Sequence, residues 1–155
     1  MPSEWIPERV WRQVKRYSPI ACVDVLLENS NGEVLLGWRK ISPYSNVWAT
    51  PGGRVGRGES LRDAALRILR EYGLTAGNLF LVGVFPVKFP TRADVTICVA
   101  SNKPGGLAVA DGYEFSSFKW SRNVPSSTGA NYAKMILRWR LLRRNVQALR
   151  FATIH

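Results

Sequence analysis

The sequence predicts an α/β fold in which helices pack against a mixed β-sheet. Apolar stretches with the alternation typical of strands recur along the chain, at 19–28, 34–36, 79–87 and 95–100. One helix is predicted between these strands and another after them, which is the order of an α/β domain. The length of 155 residues and the hydrophobic content of 46% are those of a single globular domain. We therefore expect one domain over 1–155, with a helical extension over 1–17 and a basic amphipathic helix over 129–150.

The first part of the chain predicts a helix and a hairpin. Residues 7–16 favour a short helix because Pro7 suits a first helical turn, and this helix is expected at the domain edge or in a dimer contact. The turn-forming residues at 29–32 separate two apolar strands, which predicts a β-hairpin. A loop over 41–46 then leads into a strand at 47–49.

The second part of the chain predicts two strands, a turn-rich segment, a last strand and a helix. A loop over 86–93 joins the strands at 79–87 and 95–100, and turn residues dominate 102–112. The last strand is expected at 118–120. Apolar residues at helical spacing then predict one helix over about 130–148, with Tyr132, Met135, Ile136, Trp139, Leu142, Val146 and Leu149 on its buried side.

One stretch, residues 51–74, joins a glycine-rich loop to a helix. The glycines at 52, 53, 56 and 58 allow the backbone to turn tightly and to approach a ligand closely. Ser60 is the expected N-cap of the helix, and Gly73 stands where the helix should end. Backbone amides followed by a helix that carries a carboxylate are suited to hold a diphosphate and a divalent cation together.

This stretch resembles the Nudix box, G-x5-E-x7-R-E-U-x-E-E-x-G-U, where U is aliphatic. The matching residues are Gly53, Glu59, Arg67, Glu71, Gly73 and Leu74. Two departures are visible: Ile68 replaces the acid after the arginine, and only Glu71 remains of the double acid, with one residue fewer before the glycine. This shortened, acid-poor box is similar to that of the GDP-mannose mannosyl hydrolase branch. The similarity covers most of residues 10–120 and implies the Nudix α/β/α sandwich with a mixed central sheet.

The resemblance implies a magnesium site and its ligands. It indicates Glu71 and the Gly52 carbonyl as metal ligands, and it places Glu114 where the branch has a glutamine ligand. The alternative for Glu71 is a solvated carboxylate paired with Arg67 one helical turn earlier. Glu59 and Arg67 are expected to pair and to brace the loop against the helix.

The resemblance also implies substrate-binding residues. Arg54 matches an arginine that neutralises the departing diphosphate, and Asp24 and Arg39 match positions that contact the nucleotide. Asp24 is notable independently, because a carboxylate within an apolar strand is costly to bury unless it is paired. The alternative is that Asp24 lies on the solvent face of an edge strand.

The general base of the branch has no equivalent in this chain. Phe115 occupies the position of the catalytic histidine, and the one histidine of the sequence is His155 at the C-terminus. Glu114 can take this part as a metal ligand or as an acid or base, or it can be an exposed loop residue. A tyrosine that assists the leaving group in the branch is also missing, because the aligned strand reads Ile97-Cys98-Val99.

The charge of +11 is concentrated toward the C-terminus. Residues 115–155 contain no acid but carry Lys119, Arg122, Lys134, Arg138, Arg140, Arg143, Arg144 and Arg150. Such a field favours anionic partners such as nucleotides or RNA, although a solvated helix face is the commoner explanation. Cys22 and Cys98 are expected to be buried reduced thiols. No apolar run reaches the length of a membrane span and no signal peptide is visible, which predicts a cytoplasmic protein without membrane contact.

Three functions are consistent with the sequence. The first is a magnesium-dependent Nudix hydrolase, dimeric like the branch that it resembles, that acts on a nucleoside diphosphate linked to another group, with a nucleotide sugar as the leading candidate. In this function Arg54, Glu71 and Glu114 are catalytic, and Asp24, Arg39 and Arg54 bind the substrate. The second is a catalytically poor Nudix fold that binds nucleotide or RNA. The third is a pyrophosphohydrolase of nucleoside triphosphates or dinucleotides.

Overall fold

The structure, a computed structural model, describes residues 6–155. Its four helices within that range are α1 (Glu8–Tyr17), α2 (Leu61–Arg70), α3 (Ala130–Leu142) and α4 (Val146–Ala152). The strands of the first half are β1 (Ile20–Leu27), β2 (Val34–Arg39), β3 (Val47–Ala49), β4 (Gly52–Arg54) and β5 (Leu74–Ala76). The later strands are β6 (Leu79–Lys88), β7 (Ala93–Ser101), β8 (Pro104–Gly106), β9 (Phe115–Ser121) and β10 (Thr153–Ile154).

The main sheet is mixed and has the strand order β10-β6-β7-β1-β4. β1 and β7 run parallel, from the pair Ile20 and Asp94 to the pair Leu27 and Ser101, and the other neighbours are antiparallel. A second sheet has the order β3-β2-β9, and β5 pairs with β8. Helix α2 contacts β1, β4 and β5, while α3 and α4 contact β6. The predicted α/β architecture with a mixed sheet is confirmed.

The core lies between the sheets and the helices. β1 lies between β7 and β4, and residues on both of its faces are fully buried, with Val23 and Val25 on one face and Leu26 on the other. Trp139 of α3 is also fully buried and stacks on Phe80 of β6 with ring centroids 5.9 Å apart. Both cysteines are buried and free, as predicted.

The predicted hairpin of residues 19–36 is wrong, although its turn is correct. The side chain of Asn29 accepts hydrogen bonds of 3.0 Å from the amides of Asn31 and Glu33. Beyond this turn only the bridge between Glu28 and Val34 joins the two strands. The strands separate because β7 and β4 already occupy both edges of β1, so that β2 pairs with β3 and β9 instead.

The C-terminal helix predicted over 129–150 is two helices in the structure. Helix α3 ends at Leu142 and α4 begins at Val146. Asn145 lies in extended conformation between them, and its side chain accepts a hydrogen bond of 3.0 Å from the amide of Ala148. An N-cap of this kind favours a new helix start over a continuous helix. The N-terminal helix, by contrast, is present at 8–17, within one residue of its prediction.

Strand β9 starts at Phe115, earlier than the predicted 118. The pairing of β2 with β9 shifts register between Gly37 and Arg39, so two serines of β9 stand opposite one residue of β2. This β-bulge lets Phe115 and Phe118 both pack inward although three positions separate them. Within residues 6–155, no helix is long and apolar enough to cross a membrane.

Candidate active site

The loop and helix of residues 51–74 fold as their residue types predict. Ser60 caps α2 by accepting a hydrogen bond of 3.1 Å from the Asp63 amide, and Gly73 ends the segment with φ of 71°. Arg67 donates to both carboxylate oxygens of Glu59, at 2.8 and 2.9 Å. The Glu59 carboxylate also accepts a hydrogen bond of 2.7 Å from the Gly56 amide. These bonds lower the pKa of Glu59 and brace the loop against the helix.

A cavity of about 310 Å³ opens beside this loop. Five of the six residues that the sequence singles out for a site line it: Asp24, Arg39, Gly52, Arg54 and Glu114. They come from β1, β2, β4 and the segment before β9, which lie far apart in sequence. A volume in this range is typical of small-molecule sites.

The sixth residue, Glu71, lies outside the cavity lining. It follows the last turn of α2, and its side chain is 56% exposed. Its nearest charged partner is Arg67, with 3.8 Å between Oε1 and Nη1. The structure therefore has the i,i+4 pair that the sequence offered as the simpler alternative, although the charge of Glu71 still contributes to raising the pKa of Glu114.

Asp24 lies against Gly52, its register partner in the antiparallel pair of β1 and β4. A Cβ atom on residue 52 would come within 1.8 Å of Asp24 Oδ1, so only glycine fits at this position. Burial raises the pKa of Asp24 to about 7. The Arg39 guanidinium opposes this shift, and the charges of Glu114 and Asp94 add to it. Asp24 is therefore a cavity carboxylate and not a residue of a solvent-facing edge strand.

Arg39 and Glu114 form an ion pair inside the cavity. The side chains are only 14% and 19% exposed, so the pair is largely removed from water. The second oxygen of Glu114 accepts a hydrogen bond of 3.2 Å from the Tyr72 hydroxyl. Burial raises the pKa of Glu114, while Arg39 opposes the shift. Glu114 is thus a held, partly buried group and not an exposed loop residue.

Arg54 stands at the cavity rim and contacts the N-terminal helix. Its guanidinium carbon lies 4.3 Å from the ring centroid of Trp11, which is a cation–π contact. The side chain remains exposed and can turn toward the cavity that it lines. Helix α1 therefore supports a residue of the site.

Three aromatic side chains form a cavity wall that the sequence analysis did not identify. Tyr44 lies edge-on to Phe89 at 5.3 Å and to Tyr132 at 5.9 Å between ring centroids. Trp38 does not line the cavity and packs edge-on against Trp48, with 5.1 Å between the ring centroids. Rings at the cavity surface are suited to contact a nucleotide base.

A third carboxylate, Asp94, lines the cavity and was not identified from the sequence. Asp94 is 5% exposed, pairs with Arg92 at 2.8 Å and lies 3.8 Å from the Cys22 sulfur. Burial, followed by the charge of Asp94, raises the pKa of Cys22 to about 12. The signal for Asp94 was present in the sequence, since a carboxylate at the start of an apolar strand invites the argument made for Asp24.

Carboxylates line the cavity together with Gly52, and oxygen atoms of this kind are the ligands that magnesium prefers. In the described part of the chain, no three His, Cys, Asp or Glu side chains gather closely enough to form a metal cluster. Magnesium, however, is commonly held by one or two carboxylates, with water completing its shell. Asp24 and Glu114 line the same cavity as Gly52, and the charge of Glu114 raises the pKa of Asp24. A bound cation would act on these carboxylates in the same direction as the Arg39 guanidinium, by favouring their charged forms.

Comparisons with known proteins agree with the fold. The family model of the NUDIX domain matches residues 19–122. An ADP-ribose pyrophosphatase of Methanocaldococcus jannaschii is 31% identical over 140 residues, which cover 83% of this chain and 82% of that protein. A Bacillus subtilis protein provisionally named an 8-oxo-dGTP diphosphatase is 38% identical over 97 residues. That alignment spans 62% of each chain, so less than two thirds of this relative is matched.

A solved structure shows the same architecture. The MutT Nudix hydrolase from Burkholderia pseudomallei superposes with a TM-score of 0.73 and 19% identity, covering 78% of this chain and 98% of that one. The two curated relatives are named for different substrates, 8-oxo-dGTP and ADP-ribose. The likeness to the GDP-mannose branch therefore stays a prediction. The family match includes the glycine-rich loop, α2 and all five of the cavity residues named above. On this evidence the chain belongs to the Nudix family.

Proposed function

We propose that the chain is a magnesium-dependent hydrolase of a nucleoside diphosphate linked to another group, with a nucleotide sugar such as GDP-mannose as the first candidate. The observation that carries this proposal is the convergence of Arg39, Arg54, Asp24, Glu114 and Gly52 on one cavity of about 310 Å³. Two guanidinium groups suit phosphate oxygens, and the carboxylates suit a cation or a proton.

The arginines bind and orient the diphosphate in this proposal. Arg54 is exposed at the rim, and its planar fork can bind two phosphate oxygens once it turns from Trp11. Arg39 is held in the interior by Glu114, so it must share its donors between Glu114 and a phosphate. Gly52 and Gly53 of β4 also line the cavity, so the backbone of β4 is available to contact the substrate.

Glu71, the Gly52 carbonyl and Glu114 are the residues that we assign to the magnesium ion. When bound there, the ion supplies charge neutralisation for the diphosphate. The side chain of Glu71 is exposed and can extend toward the rim, while Glu114 is fixed by Arg39 and Tyr72. Asp24 contacts Gly52 directly and completes the group of oxygen donors beside it.

Proton transfer falls to Glu114 or Asp24, since the expected histidine is replaced by Phe115. Phe115 is fully buried and packs against Tyr72, so it contributes only to the core. Burial raises the pKa of both carboxylates, and for Asp24 to about 7. A group that titrates near neutral pH can both accept and return a proton during turnover.

The test is a substrate panel with magnesium in ¹⁸O-labelled water. GDP-mannose and other nucleotide sugars, ADP-ribose and 8-oxo-dGTP are each incubated with the wild type and with Glu71→Gln. We expect turnover of at least one compound in which a diphosphate joins two groups, and a loss of about 100-fold or more in Glu71→Gln with unchanged thermal unfolding. The labelled product then shows whether water attacks carbon or phosphorus.

Glu33→Gln is the matched control, because it makes the same substitution in the turn between β1 and β2, at a residue to which we assign no part in binding magnesium or substrate. Its turnover should equal that of the wild type. If no compound of the panel is hydrolysed, the proposal is wrong. If Glu71→Gln turns over normally, the assignment of Glu71 to the metal is wrong even though the hydrolase remains.

A pyrophosphohydrolase of nucleotides is the second candidate, and the names of the two curated relatives favour it. This candidate uses the same cavity and magnesium ion as the first, but in its reaction water always attacks phosphorus. The same panel separates the two, since hydrolysis of 8-oxo-dGTP without hydrolysis of any nucleotide sugar supports the second candidate.

A further inference from the structure

A second concave surface lies next to the cavity, between α1 and the turn that joins β6 to β7. It is an open groove of about 670 Å³. One wall carries Arg12, Lys15 and Arg16 of α1, and the other carries Lys88 and Arg92. None of the described residues that line it is acidic. Five cations around one groove, without a lining carboxylate, make a strong local field for a polyanion.

Aromatic rings alternate with these cations. Tyr17 at the end of α1 is 74% exposed, with the Arg16 guanidinium carbon 5.2 Å from its ring centroid. Phe89 in the opposite wall has the Arg92 guanidinium carbon 5.4 Å from its ring centroid. Tyr17 is exposed and Phe89 is half-buried, and rings in a basic groove offer stacking surfaces for unpaired bases, which is how proteins bind single-stranded nucleic acids without sequence preference.

The groove is joined to the cavity at two residues. Phe89 and Arg92 line both, and Asp94 holds Arg92 in place through an ion pair of 2.8 Å. A chain of phosphates lying in the groove would therefore run past the mouth of the cavity. This continuity favours a nucleotide chain over an acidic peptide, because the cavity at its end already has the aromatic wall and arginines suited to a nucleotide.

The groove depends on residues outside the matched family region. The NUDIX match begins at residue 19, whereas Arg12, Lys15, Arg16 and Tyr17 precede it. We propose that the groove between α1 and the β6–β7 turn is a binding site for a short single-stranded nucleic acid. Its phosphates contact the cations of both walls, and its bases stack on Tyr17 and Phe89. Binding at this site does not depend on the hydrolase activity.

The experiment measures fluorescence anisotropy of a labelled single-stranded oligouridine of about eight nucleotides, a length within the range that one such site covers. A 5′-hydroxyl end keeps binding separate from hydrolysis. We expect saturable binding whose association constant falls with KCl at a log–log slope of about −2 to −3, as for about four phosphate contacts on a single strand. A slope near zero would overturn the proposal.

Two variants locate the site. Arg12→Glu with Lys88→Glu reverses one exposed charge in each wall and should weaken binding at least tenfold. The matched control is Arg144→Glu with Arg150→Glu, which makes the same charge change at exposed residues near α4. Helix α4 contacts β6, and β10 after it pairs with Leu79 and Phe80, at the end of β6 opposite to Lys88. The control should bind within twofold of the wild type, and an equal loss in both variants would refute the groove.

Tyr17→Ala tests whether bases stack on this ring, and it changes no charge. Loss of the stacking of one base should lower the affinity for the oligonucleotide about fivefold or more, while the affinity for inorganic tripolyphosphate stays the same. If tripolyphosphate binds as tightly as the oligonucleotide, or if Tyr17→Ala affects neither ligand, the groove is a general anion surface and the proposal is wrong. Circular dichroism of each variant confirms folding, which we expect to be retained because α1 buries no residue completely.

Discussion

Replacing Asp24 with asparagine should make the protein more stable near neutral pH while it removes a carboxylate of the proposed site. Burial raises the pKa of Asp24 from its ordinary value of 3.8 to about 7. Between these two pH values the folded protein holds a proton that the unfolded chain has released. The free energy of unfolding therefore falls as the pH rises through this window, and the loss is complete above pH 7.

The size of this effect follows from the width of the window. Each pH unit of difference corresponds to about 1.4 kcal/mol, so the window of about three units gives an upper bound of about 4 kcal/mol. Relaxation and water penetration around the ionised carboxylate reduce the expected value to about 2 kcal/mol. Asparagine has nearly the same shape but does not ionise, so Asp24→Asn should lose this part of the pH dependence.

Urea unfolding followed by tryptophan fluorescence, in buffer containing EDTA, measures this difference from pH 4 to pH 8. We expect the stability of Asp24→Asn relative to the wild type to rise by about 2 kcal/mol across this range. Glu8→Gln, which alters an exposed carboxylate in the first turn of α1, is the control. Parallel pH profiles for wild type and Asp24→Asn would show that burial of Asp24 carries no ionisation cost, and the reasoning would fail.

Three further substitutions test the packing that supports the site, each by denaturant unfolding. Gly52→Ala should destabilise the protein by about 1–3 kcal/mol, because the new Cβ would lie 1.8 Å from Asp24 Oδ1; an unchanged midpoint would show that β4 moves freely. Arg67→Met should cost about 2 kcal/mol by removing the two hydrogen bonds that Arg67 donates to the partly buried Glu59, and the loss should shrink when Glu59→Gln is added. Trp139→Leu should cost about 2–4 kcal/mol, since the fully buried indole leaves a cavity; a smaller loss than in exposed Leu137→Ala would contradict its place in the core.

The local chemistry of the glycine-rich loop and α2 could be predicted because short-range rules determine it. Ser60 as N-cap, Gly73 with positive φ and the pair of Glu59 with Arg67 each depend on residues at most eight positions apart. The start of β9 could not be predicted in this way. Its FSSF segment lacks the alternation of a strand, since the two phenylalanines are three positions apart. Phe115 points inward only because the folded sheet has a bulge opposite Trp38.

The cavity required information that periodicity does not contain. Asp24, Arg39 and Arg54 could be singled out from the resemblance, but the parallel pairing of β1 with β7 determines that Asp94 lies in the same cavity. That pairing joins segments about 74 residues apart, and no turn motif in the sequence predicts it. Glu71 shows the opposite case, since its position in the motif predicted a ligand while its side chain lies exposed beside Arg67.

The contact between Trp11 and Arg54 has a practical consequence for anyone who shortens this protein. A version that starts at the family boundary near residue 19 would keep β1 and all of its sheet partners, and it should still fold. It would nevertheless leave the rim arginine free to sample many rotamers, so kinetic constants measured on such a trimmed domain would describe a looser site than that of the whole chain.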